Sequence, residues 1–219
     1  MHNVELVHVT PDAEQLIAYM ARVSNPNNQD NPDCIKLIKY LIKHNHWSPF
    51  EMVNMCVQID TTRSVASQIL RHRSFSFQEF SQRYAQVVNT PSLPNFRRQD
   101  TTNRQNSIDD LNEYTQQEFQ IRTQDLFDQS LALYNEMLAA GVAKECARDV
   151  LPLSTPTKLY MNGTLRSWLH YTDLRCANGT QLEHQLVATG VHGLIRTHFP
   201  LVAEAMWPTR AERDERAEG

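Results

Sequence analysis

The sequence predicts an α+β fold in one domain. Residues 4–9 and 52–61 alternate apolar with polar side chains and read as strands, and Leu159-Tyr160-Met161 suggests a third. Between them lie stretches whose apolar residues recur at helical spacing, the longest running over 108–140. No internal repeat and no linker divides the 219 residues, so 1–207 is read as the domain and 208–219 as a charged tail.

The elements follow in order. Residues 4–9 form a strand, and 11–23 a helix with Ala13, Leu16, Ile17, Met20 and Val23 on its core face. Ser24-Asn25-Pro26 stops it. A second helix spans 32–44, with Pro32 as an early helical residue and Cys34, Ile35, Leu37, Ile38, Leu41 and Ile42 apolar. After the strand at 52–61, Thr62 is placed to cap a helix over 63–70. Residues 74–84 are irregular or strand-like, and the polar stretch 89–106, with two prolines, is a loop. Arg97-Arg98 in that loop reads as solvated, with contact to a phosphate the alternative.

The helix at 108–140 carries Leu126, Phe127, Leu131, Tyr134, Met137 and Leu138 as its core stripe, and Gly141 suits the position after its end. At 1.5 Å per residue it would run to roughly 45–50 Å, enough to serve a subunit contact. A short helix over 142–150, the strand at 159–161, a helix over 164–175 and a last helix over 180–199 complete the domain. On 164–175, Arg166, His170 and Asp173 share one face, while Leu165, Trp168 and Leu169 point to the core. The tail at 210–219 reads as frayed.

Composition narrows the function. Hydrophobic residues make up 41% of the chain, enough for a sizeable core. A net charge of −4 argues against a protein built to coat nucleic acid. No apolar run reaches the length of a membrane span, and the first residues show no secretory signal. Cys34, Cys56, Cys146 and Cys176 are scattered, so no disulfide frame and no metal cage is expected, and the cytoplasm is the expected compartment. None of the six glycines forms a GxGxxG or Walker loop, so any bound phosphate must be held mainly by side chains.

Chemistry concentrates in residues 68–84, which pack Arg71, His72, Arg73 and Arg83 with Glu79, amides, hydroxyls and aromatic rings. Arginine grips phosphate in a two-pronged fork, so the cluster suggests an anion site flanked by flat surfaces. Taken alone, Arg-His-Arg is more often a solvated basic loop. His44 and His46 lack a third ligand, and the last helix, with His184, Gln185, His192 and His198, shows no HExxH pattern.

The arginine cluster resembles a known family. Arg71-His72-Arg73, seven residues and Ser81 match the RHRx7S signature of the flavin-dependent thymidylate synthases. Ala21-Arg22-Val23-Ser24, the segment from His46 through Ser48-Pro49-Phe50-Glu51, and Gln68 three before Arg71 are similar to other family segments. So are Glu79-Phe80-Ser81-Gln82-Arg83-Tyr84, Ala147-Arg148 with Leu151-Pro152, and Arg166, His170 and Arg175 at the family spacing. The segments run in the family's order over residues 20–205.

The resemblance implies a homotetramer of α+β subunits with a central, largely antiparallel sheet and flanking long helices. It implies FAD as cofactor, NADPH as reductant, and 5,10-methylenetetrahydrofolate as donor of the one-carbon unit that turns dUMP into dTMP. Sites shared between subunits are part of that expectation. Gln68, Arg71 and Arg148 would contact dUMP from one chain, and Glu79, Phe80, Ser81, Gln82, Arg83 and Arg175 from another, with Arg175 as the catalytic group. Ser24, His46, Ser48, Glu51, Arg71, His72, Arg73, Gln78, Glu79, Thr164, Leu165, Arg166 and His170 would line the flavin site. Gln78 and Thr164 stand where the family has asparagine, and a hydroxyl replaces only part of an amide's bonding. No cysteine lies near the cluster except Cys176 beside Arg175, in keeping with a flavin rather than a thiol route. Two competing readings are a protein that binds FAD and dUMP without turnover, and a nucleic-acid-binding module using the arginines.

Overall fold

A computed structural model describes residues 2–208. The strands are β1 (Asn3–Val9), β2 (Asn54–Thr62), β3 (Ser76–Glu79), β4 (Arg98–Gln99), β5 (Ser107–Ile108) and β6 (Pro156–Thr164). The helices are α1 (Ala13–Ala21), α2 (Ile35–Lys43), α3 (Arg63–Ile69), α4 (Glu113–Ala139), α5 (Lys144–Ala147), α6 (Leu165–Arg175), α7 (Leu182–His198) and α8 (Pro200–Met206). The main sheet has the order β1-β2-β6-β3 and is antiparallel throughout, as expected. β4 and β5 form a separate two-stranded ribbon within the long loop.

Alternation decides which sheet face is buried. Met55, Val57 and Ile59 of β2 and Leu159 and Met161 of β6 are wholly buried, while Lys158 and Tyr160 between them are exposed. The buried face packs against α6 and α7, whose Trp168, Tyr171, Val187, Val191 and Ile195 belong to the same core. The Trp168 indole N–H donates to the Met55 carbonyl at 2.8 Å, so even this large ring leaves no polar atom unpaired.

Two strands pass into helices without a connecting loop. Thr62 ends β2 and caps α3, its hydroxyl accepting from the Val65 N–H, as its position in the sequence predicts. Thr164 ends β6 and caps α6, accepting from the Ser167 N–H at 3.3 Å. A second small core joins Tyr134 of α4 to Val87 and Ala147. There the Val87 N–H donates to the Tyr134 hydroxyl at 3.0 Å. Gly141, at φ 86°, ends α4 as expected; the N–H groups of Gly141 and Val142 close back on the carbonyls of Leu138 and Met137.

Several element boundaries differ from the sequence expectation. α4 starts at Glu113, because the Asn112 side chain caps it by accepting from the Thr115 N–H at 2.9 Å, and Ile108 pairs with Arg98 in the ribbon. Its 27 residues span about 40 Å rather than 45–50 Å. Leu126 is 61% exposed: the buried stripe follows Phe127, Leu131, Tyr134 and Leu138, and Leu126 lies on its shoulder. Pro32 stays outside α2, since the buried Arg22 guanidinium holds the Asn31 and Asp33 carbonyls, both at 2.6 Å, in a non-helical turn. The helix expected over 180–199 ends where expected, and a further short helix follows it. Pro200 cannot continue a hydrogen-bond ladder, and Phe199 before it turns to φ −136°, so α7 ends and α8 begins.

Arg97 is not solvated. It forks onto Glu183 of α7 at 2.8 and 3.1 Å, and Arg98 forks onto Asp110, so both guanidinium groups have carboxylate partners. The expected frayed tail at 210–219 lies outside the described residues. Among the described residues no helix is long and apolar enough to cross a membrane.

Candidate functional site

The arginine segment is held by one aromatic ring. After α3, the N–H groups of Arg71 and His72 close the turn onto the carbonyls of Gln68 and Ile69. Phe75 then plugs into the core edge, its ring 4.6 Å from Trp168 and 6.0 Å from Tyr171, both edge-on. The ring lies against Gly163 of β6, where a side chain would collide with it. Arg71 and Arg73 are thereby left on the outside, exposed and, among the described residues, without a side-chain hydrogen bond or ion pair. Two uncommitted guanidinium groups beside a fixed ring suit an anionic ligand.

His72 turns inward and meets Arg175 of α6, whose Nε–H donates to His72 Nε2 at 2.9 Å. That bond requires neutral imidazole. Burial, then the charge of Arg175 and the proximity of His170, push the His72 pKa down to about 4. His184 of α7 is fully buried beside Tyr171 and Gln68, and burial followed by Arg175 and His72 takes its pKa down to about 3. Burial raises the Tyr171 hydroxyl above its ordinary value.

These shifts fix the sign of a pH effect. The unfolded chain takes up both histidine protons near pH 6.5, whereas the folded protein resists them down to about pH 4 and about pH 3. Their contribution to stability is therefore complete above pH 6.5 and is lost as pH falls through about 4 for His72 and about 3 for His184. Thermal melts should show Tm dropping across that window, and His184→Phe should flatten the drop. An equal slope in wild type and variant would contradict the assignment.

The remaining substrate candidates lie along and after β3. Glu79 accepts from Arg63 at 2.7 Å and from the Thr157 hydroxyl at 2.9 Å, so its charge is already balanced within the chain. Phe80 and Ser81 are exposed, and Gln82 is buried at a hollow of about 310 Å³ that Arg63 and Arg148 also line. Arg83 makes a surface ion pair with Glu145 at 3.0 Å, a contact weak enough to yield to a ligand. Within one chain Arg148 thus sits with Gln82, and Gln68 sits with the His184 network.

The flavin candidates divide in the same way. Glu51, Arg166 and His170 line one cavity of about 460 Å³, together with Trp47, Ser74 and Asp173. Arg166 is ion-paired with Glu51 across it. Ser48 opens the short helical turn Ser48–Glu51 at its rim, while His46 is exposed beside Tyr40 and His44. Gln78 is exposed on β3. Thr164 uses its hydroxyl to cap α6, and Leu165 is fully buried with its N–H on the Val53 carbonyl. Ser24 lines a separate hollow of about 440 Å³ between α1 and α2. The cavity offers a cation, a carboxylate, an imidazole and the flat face of Trp47, donors and surfaces that fit a flavin ring with its polar edge.

Tyr171, Gln181 and Trp47 carry no sequence signal that marks them as site residues. His184, set aside above because its helix lacks an HExxH pattern, instead enters the site from the core, where it and Val187 are buried on α7.

Comparison with known proteins gives the family. Residues 5–201 match the family model described as thymidylate synthase complementing protein. A protein of Paramecium bursaria Chlorella virus 1 named a probable flavin-dependent thymidylate synthase is 52% identical over 195 residues, covering 89% of this chain and 90% of its own. A flavin-dependent thymidylate synthase from Synechocystis sp. is 52% identical over 193 residues, covering 88% and 89%. Among solved structures, the UMP/dUMP methylase PolB of Streptomyces cacaoi bound with 5-Br dUMP superposes with a TM-score of 0.82 at 26% identity, covering 94% of each chain.

Proposed function

The chain belongs to the thymidylate synthase complementing protein family, and from that membership we infer that it is a flavin-dependent thymidylate synthase, an FAD enzyme that methylates dUMP to dTMP. The observation that carries the reading is the meeting of Arg175 with a neutral His72 beside the uncommitted Arg71 and Arg73.

Each side chain has a task in this reading. Arg71, Arg83 and Arg148 fork onto the dUMP phosphate, with Gln68, Glu79, Phe80, Ser81 and Gln82 around the nucleotide. Arg175, oriented by His72, holds the N3–O4 edge of the uracil and favours negative charge on the ring as C5 becomes nucleophilic. FAD, once bound, would contribute the hydride needed to reduce the transferred one-carbon unit to a methyl group. Arg73, exposed, would face its pyrophosphate, and Glu51, Arg166 and His170 would hold the ring, with Ser24, His46, Ser48 and Gln78 in outlying contacts; His72, turned inward on Arg175, and Thr164 and Leu165, which set the start of α6, would act by positioning.

NADPH as reductant, 5,10-methylenetetrahydrofolate as one-carbon donor and a cytoplasmic location complete the proposal. A homotetramer with shared sites is supported by the exposure of Ser81, Arg71 and Arg83 and by the apolar residues α4 leaves in solvent, Tyr114 at 77%, Ile121 at 64% and Leu126 at 61%. Burial raises the Cys176 thiol above its ordinary value, which disfavours a thiolate beside Arg175.

The test is direct. The purified protein should be yellow, and dUMP, NADPH and methylenetetrahydrofolate together should yield dTMP. Arg73→Ala should lose most of its flavin, read from the absorbance ratio of flavin to protein. Flavin bound without dTMP formation would favour the competing reading, a binding protein without turnover.

A further inference from the structure

We propose that His184 is a positioning residue for the reaction: from the core it fixes the amide of Gln68 and, through Tyr171, the His72–Arg175 pair. The proposal rests on the reading of Gln68 and Arg175 as dUMP contacts.

The argument is one of hydrogen-bond direction. Glu183 is a carboxylate clamped by Arg97 at 2.8 and 3.1 Å, and such a group can only accept. The Gln181 amide therefore turns its NH2 to Glu183, at 2.8 Å, and its oxygen to Gln68. Gln68 must then donate to Gln181, at 2.6 Å, which leaves its own oxygen facing His184 Nδ1 at 3.4 Å. His184 carries its proton on Nδ1 and accepts at Nε2 from the Tyr171 hydroxyl, 3.1 Å away. Every bond from Tyr171 to Glu183 points the same way, and a flip of any amide would set two donors or two acceptors face to face. Gln68 thus has one permitted orientation.

The other arm of the hub reaches the catalytic candidate. The Tyr171 ring stands edge-on to His72 with centroids 4.9 Å apart, and His72 accepts from Arg175 at 2.9 Å. Stability alone does not call for a polar hub here. His184 is 0% exposed, and replacing a buried bonded pair with apolar groups of the same shape is often nearly neutral. What an apolar ring could not do is dictate which end of Gln68 faces the substrate.

The experiment is a double-mutant cycle on the FAD-loaded protein, with dUMP affinity measured by calorimetric titration and kcat and KM by dTMP formation. His184→Phe fills the space and deletes both bonds; it is expected to raise the dUMP Kd about tenfold with flavin content unchanged. His184→Gln, which keeps a donor and an acceptor, should recover most of that loss. On a Gln68→Ala background, His184→Phe should add less than about twofold, because the residue it positions is gone. Should His184→Phe fail to fold, Tyr171→Phe, which deletes only the hydroxyl, enters the same cycle with an expected loss of about threefold. Fully additive losses, or an unaltered Kd in the His184 or Tyr171 variant beside a weakened Gln68→Ala, would overturn the inference. A Gln68→Ala that binds dUMP normally would overturn the reading of the site, and this inference with it.

Discussion

Arg175→Ala is expected to lose dTMP formation about 10- to 150-fold while keeping its flavin and its oxidation of NADPH. The range is the cost of one charge-assisted contact, about 1.5–3 kcal/mol, felt in the transition state. Arg175 is pre-set for that role, since its Nε is already on His72 and its terminal nitrogens remain for the uracil edge. Ser81→Ala should behave differently. A serine becomes a nucleophile only with a base within hydrogen-bond reach, and the nearest carboxylate in sequence, Glu79, accepts from Arg63 and Thr157 instead. The variant should weaken dUMP binding and retain measurable turnover. Single-turnover dTMP formation at saturating dUMP separates the two, and a dead Ser81→Ala beside a nearly normal Arg175→Ala would reverse the roles.

Gly163→Ala should be the most disruptive single methyl group near the site. Its Cβ would collide with two carbons of the Phe75 ring, one of them at 2.6 Å. The ring has little room to step aside, because it is packed edge-on against Trp168 and Tyr171. Overpacking of this kind costs about 1–3 kcal/mol, and displacement of Phe75 carries the arginine segment with it. The expected result is a Tm lowered by about 2–8 °C together with loss of flavin, read by thermal melt and absorbance. Restoration of flavin binding by Phe75→Leu on the same chain would trace the defect to the collision. Normal flavin content in Gly163→Ala would show that Phe75 does not anchor the segment.

The sequence made some of this legible and hid the rest for physical reasons. Alternation at Met55, Val57 and Ile59 and the threonine cap at Thr62 are local signals, and both hold in the structure. The antiparallel partnership of β3 with β6 is not local, since Phe77 meets Met161 across 84 residues; the resemblance implied an antiparallel sheet but not which strands pair. The end of the last long helix at Phe199, before Pro200, was legible, whereas the short helix Pro200–Met206 that follows it was not foreseen. At the site, the cluster of Arg71, His72, Arg73 and Arg175 could be marked as residue types, and the structure joins His72 to Arg175. The pull of His184 on Gln68 could not be foreseen, because a buried histidine and an exposed one have the same local pattern until the neighbouring helix is in place.

The two strands that become helices at a single threonine set a limit on how this site can change through evolution. α6 starts at the residue after β6 ends, so its angular setting is geared to the pleat of the sheet. One inserted residue at that junction would rotate the whole of α6 by about 100°, carrying Arg166 and His170 off the cavity and Arg175 off His72 together. Insertions and deletions are therefore closed to this junction and to its counterpart at Thr62, which aims Gln68 and the arginine segment. The lineage can retune chemistry here only by exchanging side chains, while length variation is left to the ribbon loop between β3 and α4.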